Sequence, residues 1–389
     1  MAENTTIGIL TGGGDVPGLN SVIKSAVYRA TEIGRKVIGI RKGWEGLTNM
    51  TGPGDPVYVR ELTRENTRTI DRTGGTVLHT SRTNPRRIAE SKLPKNLTSE
   101  QLKKLPFDGK TYDLTSVVIG NLDRLGIGCL IAIGGDDTLS FASALAAAGF
   151  PVMAIPKTMD NDVHGTEYCI GFSTAITRAK EAITRQRTTV GSHERIGIFR
   201  MFGRDAGFTA LYTAYVTSTR CLIPEYPFEL ERLCNLLMED KRNNPSNYSL
   251  VVMSEGAIWK EGEVKEYGEA DAFGHRKKVD VGQMLGEEVR RRTGQETMSS
   301  DLTYDLRSGD PDAIDQIVAT TFANIALDLI RDGVTGRMMG IRNGCYAHVE
   351  LPAASLGARR VDVATLYNTE RYRPNYSSKL GSPLLFGGS

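Results

Sequence analysis

The chain has 389 residues, 40% of them hydrophobic, with 48 Lys and Arg against 46 Asp and Glu and a formal net charge of +2. This length and apolar content support a large core and more than one lobe. The balanced charge argues against general nucleic-acid affinity, which needs a marked basic excess.

The five cysteines (Cys129, Cys169, Cys221, Cys234, Cys345) form no CxxC pair and are odd in number. Neither a disulfide framework nor a zinc site is expected, and a reducing compartment fits. The histidines form no HExxH or HxH pattern. No apolar run approaches the roughly 18–20 residues that span a bilayer. The N-terminus passes Glu3 straight into the strand-like TTIGIL, with no signal-peptide pattern. The expectation is a soluble cytoplasmic protein, off the membrane.

In chain order, Ile7–Leu10 reads as a buried strand, TGGGDVPG (11–18) as a tight glycine loop, and Leu19–Ile33 as a helix. Its apolar face is Leu19, Val22, Ile23, Ala26, Val27 and Ala30. Gly34 stops it and Val37–Ile40 is the next strand, a βαβ unit that predicts a parallel sheet. Residues 92–113 read as a polar surface excursion. Cys129–Ile133 is a strand followed by GGDDT, then an Ala-rich helix over Leu139–Ala148. Val152–Ile155 is a strand followed by PKTMDND. Two polar loops thus leave the C-terminal ends of parallel strands, the edge where open α/β sheets bind ligands. A second set follows: helix Thr174–Thr189, strand Ile196–Arg200, helix Phe208–Thr217 and strand Ser249–Met253. The tail from Arg371 is turn-rich.

Each polar segment has two readings. TGGGDVPG either lets backbone N–H groups approach a phosphate at a helix N-terminus or is an ordinary tight turn. In IGGDDT (133–138), Asp136 and Asp137 either hold Mg²⁺ beside a phosphate, or Asp137 or Thr138 merely caps a helix. PKTMDND (156–162) is more specific. A lone DND is a self-bonded turn. With Lys157 ahead of Asp160 and Asp162, it offers a cation for phosphate oxygens and a base for a hydroxyl proton. SRTNPRR (81–87) and SHERIGIFRMFGRDAG (192–207) supply Arg82, Arg195 and Arg204, whose planar forks suit phosphate. Arg87 and Arg200 are read as solvated surface residues. Glu255, after a strand, either accepts from sugar hydroxyls or caps a turn. The joint expectation is phosphoryl transfer to a sugar phosphate.

Taken together, GGD, then P-x-T-x-DND, then SHER with a following GR resemble the 6-phosphofructokinase family, from TTIGIL to about residue 345. GGD alone also resembles the GGDG-T element of NAD and diacylglycerol kinases. They are not expected to carry the other two segments. The resemblance implies an α/β fold of two similar lobes, each a mainly parallel sheet flanked by helices. Residues 1–171 with 306–356 would form the donor and metal lobe, and 172–305 with 357–389 the sugar-phosphate lobe. It implies Gly14 and Arg82 facing the phosphoryl donor, Asp136 binding Mg²⁺, and Asp160 as base on the 1-hydroxyl of fructose 6-phosphate with Asp162 beside it. Thr158, Met159, Phe202, Gly203, Arg204, Glu255 and Tyr304 would meet the acceptor, and Arg307 its 6-phosphate. Arg195 would reach in from a neighbouring subunit, so a homodimer or homotetramer is implied.

Asp137 and Lys157 stand where ATP-using members tend to have glycine and resemble the pyrophosphate-using type. Other positions depart from the common bacterial form. Met298 replaces an arginine, Tyr304 a histidine and Phe202 a methionine, leaving sedoheptulose 7-phosphate or another sugar phosphate open as acceptor. Lys24 is basic, but Tyr28 stands where a second base is common, so nucleotide regulation is not expected. An ATP-dependent enzyme of the same fold and a non-catalytic subunit are the rival readings. The retained Asp136, Asp160 and Arg204 speak against the second.

Overall fold

The computed structural model describes residues 6–260, 266–267, 277–278 and 281–377. The N-terminal reading at Glu3 and the end of the turn-rich tail, 378–389, lie outside them. Two sheets carry the fold. The larger has seven strands in the order Cys345–Glu350, Arg337–Arg342, Val152–Pro156, Ile127–Gly134, Thr6–Thr11, Val37–Ile40, Val59–Leu62. Its inner strands are all parallel and its two edge strands antiparallel. The smaller has four parallel strands in the order Thr297–Leu302, Ile196–Met201, Ser249–Ser254, Arg220–Leu222.

The parallel strands were readable because helices cover both of their faces, which turns the sequence into near-continuous apolar runs. Ile127–Gly134 and Val152–Pro156 are buried almost throughout. Leu19–Glu32 buries the predicted face, Leu19, Val22, Ile23, Ala26, Val27 and Ala30, and packs on the helix Ala313–Arg331. That second helix corrects an expectation. Among the described residues it is the one helix long and apolar enough to cross a membrane by length and composition. Its Val318, Phe322, Leu327 and Ile330 are fully buried in the main core, which accounts for the composition.

One apolar cluster runs through both sheets. It takes Ile9 and Ile133 from the larger, Phe199 and Val252 from the smaller, and Phe172, Ala175, Ala179 and Ile183 from the helix Phe172–Ser192. The excursion over 92–113 is not bare loop. Ile88–Ala89 pairs with Thr111–Tyr112. Thr98 and Gln101 form a capping box on the helix Ser99–Lys104. Ile88, Leu105 and Leu114 make a small satellite core.

Candidate active site

Three adjacent strands of the larger sheet end at one edge. Thr6–Thr11 delivers Gly13–Asp15, Ile127–Gly134 delivers Gly135–Thr138, and Val152–Pro156 delivers Lys157–Asp162. Three adjacent strands of the smaller sheet deliver Phe202, Arg204 and Asp205, then Glu255, then Thr303, Tyr304 and Arg307. The two sets line one cleft of about 900 Å³, as ligand sites at the carboxyl ends of parallel strands do. Pro352, Ala353, Leu356, Gly357, Ala358 and Arg360, which no motif announced, line one side of it.

Glycine is required at the bottom of the donor side. A Cβ on Gly12 would lie 2.5 Å from Thr138 Oγ1, and one on Gly134 2.3 Å from Thr138 Cβ. Gly12 N–H donates to Ile133 O and Gly13 N–H to Ser81 O, at 2.9 and 3.0 Å. Gly14 comes next, and Lys157 Nζ donates to its carbonyl at 2.5 Å. The helix that follows this loop starts at Leu19, and neither Gly18 nor Leu19 lines the cleft. Gly18, at φ 104°, is packed on Ile170 instead. The N-terminus in the cleft belongs to Asp136–Ala147, which starts from Gly135 with no side-chain cap. Neither Asp137 nor Thr138 is a cap. The first-turn amides and their partial positive charge stay directed at the cleft.

Lys157 is 3% exposed. Burial lowers its pKa to about 8, Arg307 and Arg82 push the same way, and Asp15 and Asp162 oppose them. An anionic ligand between Lys157, Arg82 and Arg307 removes that conflict. Arg307 touches the donor loop as well as the acceptor side. Its Nη1 lies 2.9 Å from where a Gly14 Cβ would be, its Nε 3.6 Å from Asp15 Oδ1, and its guanidinium 4.7 Å from the Tyr304 ring centre. It therefore sits at the junction of the two sides.

The DND turn is built on its middle residue. Asn161 is buried in the left-handed region at φ 54°. Its side chain donates to Glu167 O and accepts from Cys169 N–H, at 2.9 and 2.8 Å. This frees Asp160 and Asp162 to line the cleft. Thr158 Oγ1 accepts from Asp160 N–H at 3.1 Å. Thr209 Oγ1 donates to Met159 O at 2.7 Å, and Met159 is buried beneath the loop. Asp160 Oδ1 is buried with no hydrogen-bond partner. Burial, then Asp162, Glu255 and Asp205, raise the Asp160 pKa well above the carboxylate range, against Arg204. Burial also raises Asp162. Burial, then Asp162, Asp137 and Asp205, push Asp136 up to about 8.

These acids crowd together without enough cationic charge, which is the electrostatic signature of a place for a bound cation. Among the described residues no three His, Cys, Asp or Glu side chains converge to hold a metal ion by themselves. Mg²⁺ keeps several waters and takes only one or two carboxylates with substrate phosphates, so the oxygen donors present fit it.

On the acceptor side, Glu255 and Arg204 line the cleft, and Phe202 stacks edge-on with Tyr304 at 5.6 Å. Tyr304 is 64% exposed. Gly203 lies outside the lining. Its φ of 126° and a Cβ position 2.7 Å from Ala206 O show that it shapes the turn that presents Arg204. Met298 packs partly buried against the core and does not reach the cleft. Arg195 does not reach it either, pairing with Glu296 at 2.9 Å. Arg87 is exposed, but Arg200 is not a surface residue. It lies in the cleft wall, 13% exposed, between Asp301 at 2.9 Å and Glu255 at 3.4 Å. A charge inside the otherwise buried run IGIFRM was the signal for it. Asp205, Asp301 and His164 also line the cleft and were not singled out. Lys24 is paired with Asp71 at 2.8 Å, and Arg64 lies over the Tyr28 ring at 4.3 Å.

A cleft at the strand ends that sets the buried Lys157, with Arg82, Arg307 and a helix N-terminus, among carboxylates defines an α/β enzyme that works on anionic substrates. The chain belongs to the phosphofructokinase family, whose model matches residues 6–330. It is 36% identical over 358 residues to the pyrophosphate–fructose 6-phosphate 1-phosphotransferase of Amycolatopsis methanolica, covering 91% of this chain and 96% of that one. The ATP-dependent 6-phosphofructokinase of Corynebacterium efficiens is 35% identical over 343 residues, covering 86% and 89%. The crystal structure of the pyrophosphate-dependent phosphofructokinase of Nitrosospira multiformis shares the fold, with a TM-score of 0.77 at 15% identity over 100% of this chain and 93% of that one.

Proposed function

We propose that this chain reversibly transfers a phosphoryl group from pyrophosphate to the 1-hydroxyl of fructose 6-phosphate, giving fructose 1,6-bisphosphate and orthophosphate. The observation that carries the donor is the pair Asp137 and Lys157. Asp137 is exposed in the first turn of the helix whose N-terminus enters the cleft, and Lys157 is buried against Gly14. A carboxylate there repels the extra phosphate of a nucleotide. Two like charges about 4 Å apart cost about 4 kcal/mol at an effective dielectric of about 20. Lys157 adds a cation matched to the compact pyrophosphate anion.

Asp160 takes the proton of the acceptor hydroxyl, whose oxygen bonds to the near phosphorus as the bridging P–O bond breaks and orthophosphate leaves. The raised proton affinity of Asp160 suits a base that works near neutral pH. Lys157, Arg82 and the Gly14 N–H hold the donor oxygens, and Thr158 and Arg204 orient the reacting groups. Asp136 would hold Mg²⁺, which supplies counter-charge to the phosphates. Residues 1–171 with 306–356 serve as the donor lobe, and 172–305 with 357–389 as the acceptor lobe. Because Arg195 does not line its own cleft, we assign it to that of a neighbouring copy in a homo-oligomer. A cytosolic setting with free metabolites suits these substrates.

The position of Met298 outside the cleft and the exposure of Tyr304 keep a second reading for the acceptor, a longer sugar phosphate such as sedoheptulose 7-phosphate. The reverse reaction tests the primary reading. Supplied with fructose 1,6-bisphosphate, orthophosphate and Mg²⁺, the enzyme should form pyrophosphate, seen by ³¹P NMR. No pyrophosphate, with sugar bisphosphate formed readily from ATP, would overturn it.

A further inference from the structure

Three adjacent strands of the smaller sheet set three charged groups in a row along the acceptor wall. Arg200 lies opposite Asp301 in one strand pairing and opposite Met253 in the other, and Glu255 follows two residues after Met253. Arg200 Nη1 donates to Asp301 Oδ2 at 2.9 Å, and Nη2 donates to Glu255 Oε2 at 3.4 Å. The side chains of Arg200 and Glu255 are 13% and 15% exposed and that of Asp301 42%. Arg200 Nε is buried with no hydrogen-bond partner. All three residues line the cleft.

We propose that the Asp301–Arg200–Glu255 row reads the hydroxyl groups of the acceptor sugar, with Arg200 as the positioning residue for Glu255 and Asp301 as a second hydroxyl acceptor. This rests on the reading of the cleft as a sugar-phosphate phosphotransferase site. Charge decides the class of ligand. One guanidinium between two carboxylates leaves the row net negative. Such a wall repels a phosphate and favours O–H donors. A carboxylate has about four lone-pair sites, so an acid that accepts from Arg200 retains capacity for a sugar hydroxyl. The acceptor's phosphate is left to Arg204 and Arg307, which line the same cleft. Arginine suits the middle place because its rigid fork reaches both acids at once, which an ammonium cannot do in a fixed plane. Without it, two neighbouring acids in a half-buried wall repel each other, and Glu255 turns away.

The rival role for Arg200 is a strand-to-strand clamp with no part in binding. Steady-state KM for sugar phosphate and for pyrophosphate, with Tm, separates the two across Arg200→Met, Arg200→Lys, Asp301→Asn and the double variant Arg200→Met/Asp301→Asn. Arg200→Met should raise the acceptor KM by about tenfold or more, the scale of one charge-assisted hydrogen bond, and keep the donor KM within about twofold. Arg200→Lys should recover part of that loss. The double variant should recover Tm but not the acceptor KM. A monodeoxy acceptor that the parent enzyme discriminates against should lose its disadvantage in Arg200→Met. A fall in Tm with an unchanged acceptor KM overturns the proposal. If Arg200→Met does not fold, an unchanged acceptor KM in folded Asp301→Asn overturns it equally. Failure of the unmodified enzyme to phosphorylate any sugar phosphate would instead remove the functional reading beneath it.

Discussion

Lys157 donates from Nζ to the carbonyl oxygen of Gly14 at 2.5 Å, joining the loop after Val152–Pro156 to the loop after Thr6–Thr11. The link crosses the strand between them, Ile127–Gly134, whose own loop carries Asp136 and Asp137. The proposed metal ligand Asp136 and the proposed donor cation and base, Lys157 and Asp160, therefore come from two neighbouring strand ends, with Gly14 from a third, which explains how a stretch of sequence as short as 133–162 can hold most of the proposed chemistry.

Exchange of Asp137 and Lys157 for glycine should change the donor. The double variant Asp137→Gly/Lys157→Gly is expected to lose about a hundredfold or more in kcat/KM for pyrophosphate and to gain turnover with ATP, following the Coulomb cost of the extra carboxylate. Parallel assays with both donors check this. An unchanged donor ratio would assign the pair a structural role only.

Asp160→Asn should cut kcat by about a hundredfold to ten-thousandfold, the usual yield of a positioned base. Sugar-phosphate binding by calorimetry should persist. Stability should hold or rise at neutral pH, because the change removes a buried carboxylate crowded by Asp162, Glu255 and Asp205. In the parent enzyme the acid limb of the rate profile should lie above the ordinary carboxylate range, with activity lost as pH falls through it. Full activity in Asp160→Asn would end its assignment.

The metal-free protein should lose stability as pH rises. Burial and the neighbouring acids push the Asp136 carboxyl up to about 8 in the fold from its ordinary 3.8, so between those values the native state holds a proton that the unfolded chain lacks. Unfolding free energy then falls with rising pH and levels off above about pH 8. Asp160 and Asp162 add slope of the same sign. Asp136→Asn should flatten part of this slope, stabilising the protein near pH 8 and not near pH 4. Urea titrations across that range measure it, and parallel curves for the two proteins would contradict it.

Much of this was readable from the chain alone, for a physical reason. Strands covered on both faces become unbroken apolar runs, so the polar loops GGDDT and PKTMDND stood out at their ends. What escaped depended on contacts across long separations. Arg200 meets Asp301, 101 residues later, through strand register, and nothing near Arg200 in the sequence names that partner. The residues 352–360 carry no motif, yet Arg359 fixes them to the DND loop, donating to Asn161 O at 3.1 Å while its own backbone N–H donates to Asp162 O. Asp315 was equally silent. Buried and titrating at about 6, it accepts from Tyr168, Gly171 and Thr174, and so anchors the start of Phe172–Ser192.

Arg195 offers a test of assembly. Arg195→Ala should leave Tm nearly unchanged, since its partner Glu296 is largely exposed and such pairs contribute about 1 kcal/mol at most. Activity should fall. Mixed oligomers made by refolding Arg195→Ala with Asp160→Ala should regain activity, because one cleft type then combines an intact base with an intact Arg195 from its neighbour. No recovery in proven mixed oligomers would place Arg195 outside catalysis.

The most direct test of the central claim is a matrix of donors against acceptors with purified enzyme and Mg²⁺: pyrophosphate, ATP and ADP against fructose 6-phosphate, sedoheptulose 7-phosphate and fructose 1-phosphate. Robust turnover of fructose 6-phosphate with pyrophosphate, and little or none with ATP or ADP, is the predicted result. Robust turnover with ATP and none with pyrophosphate would contradict it.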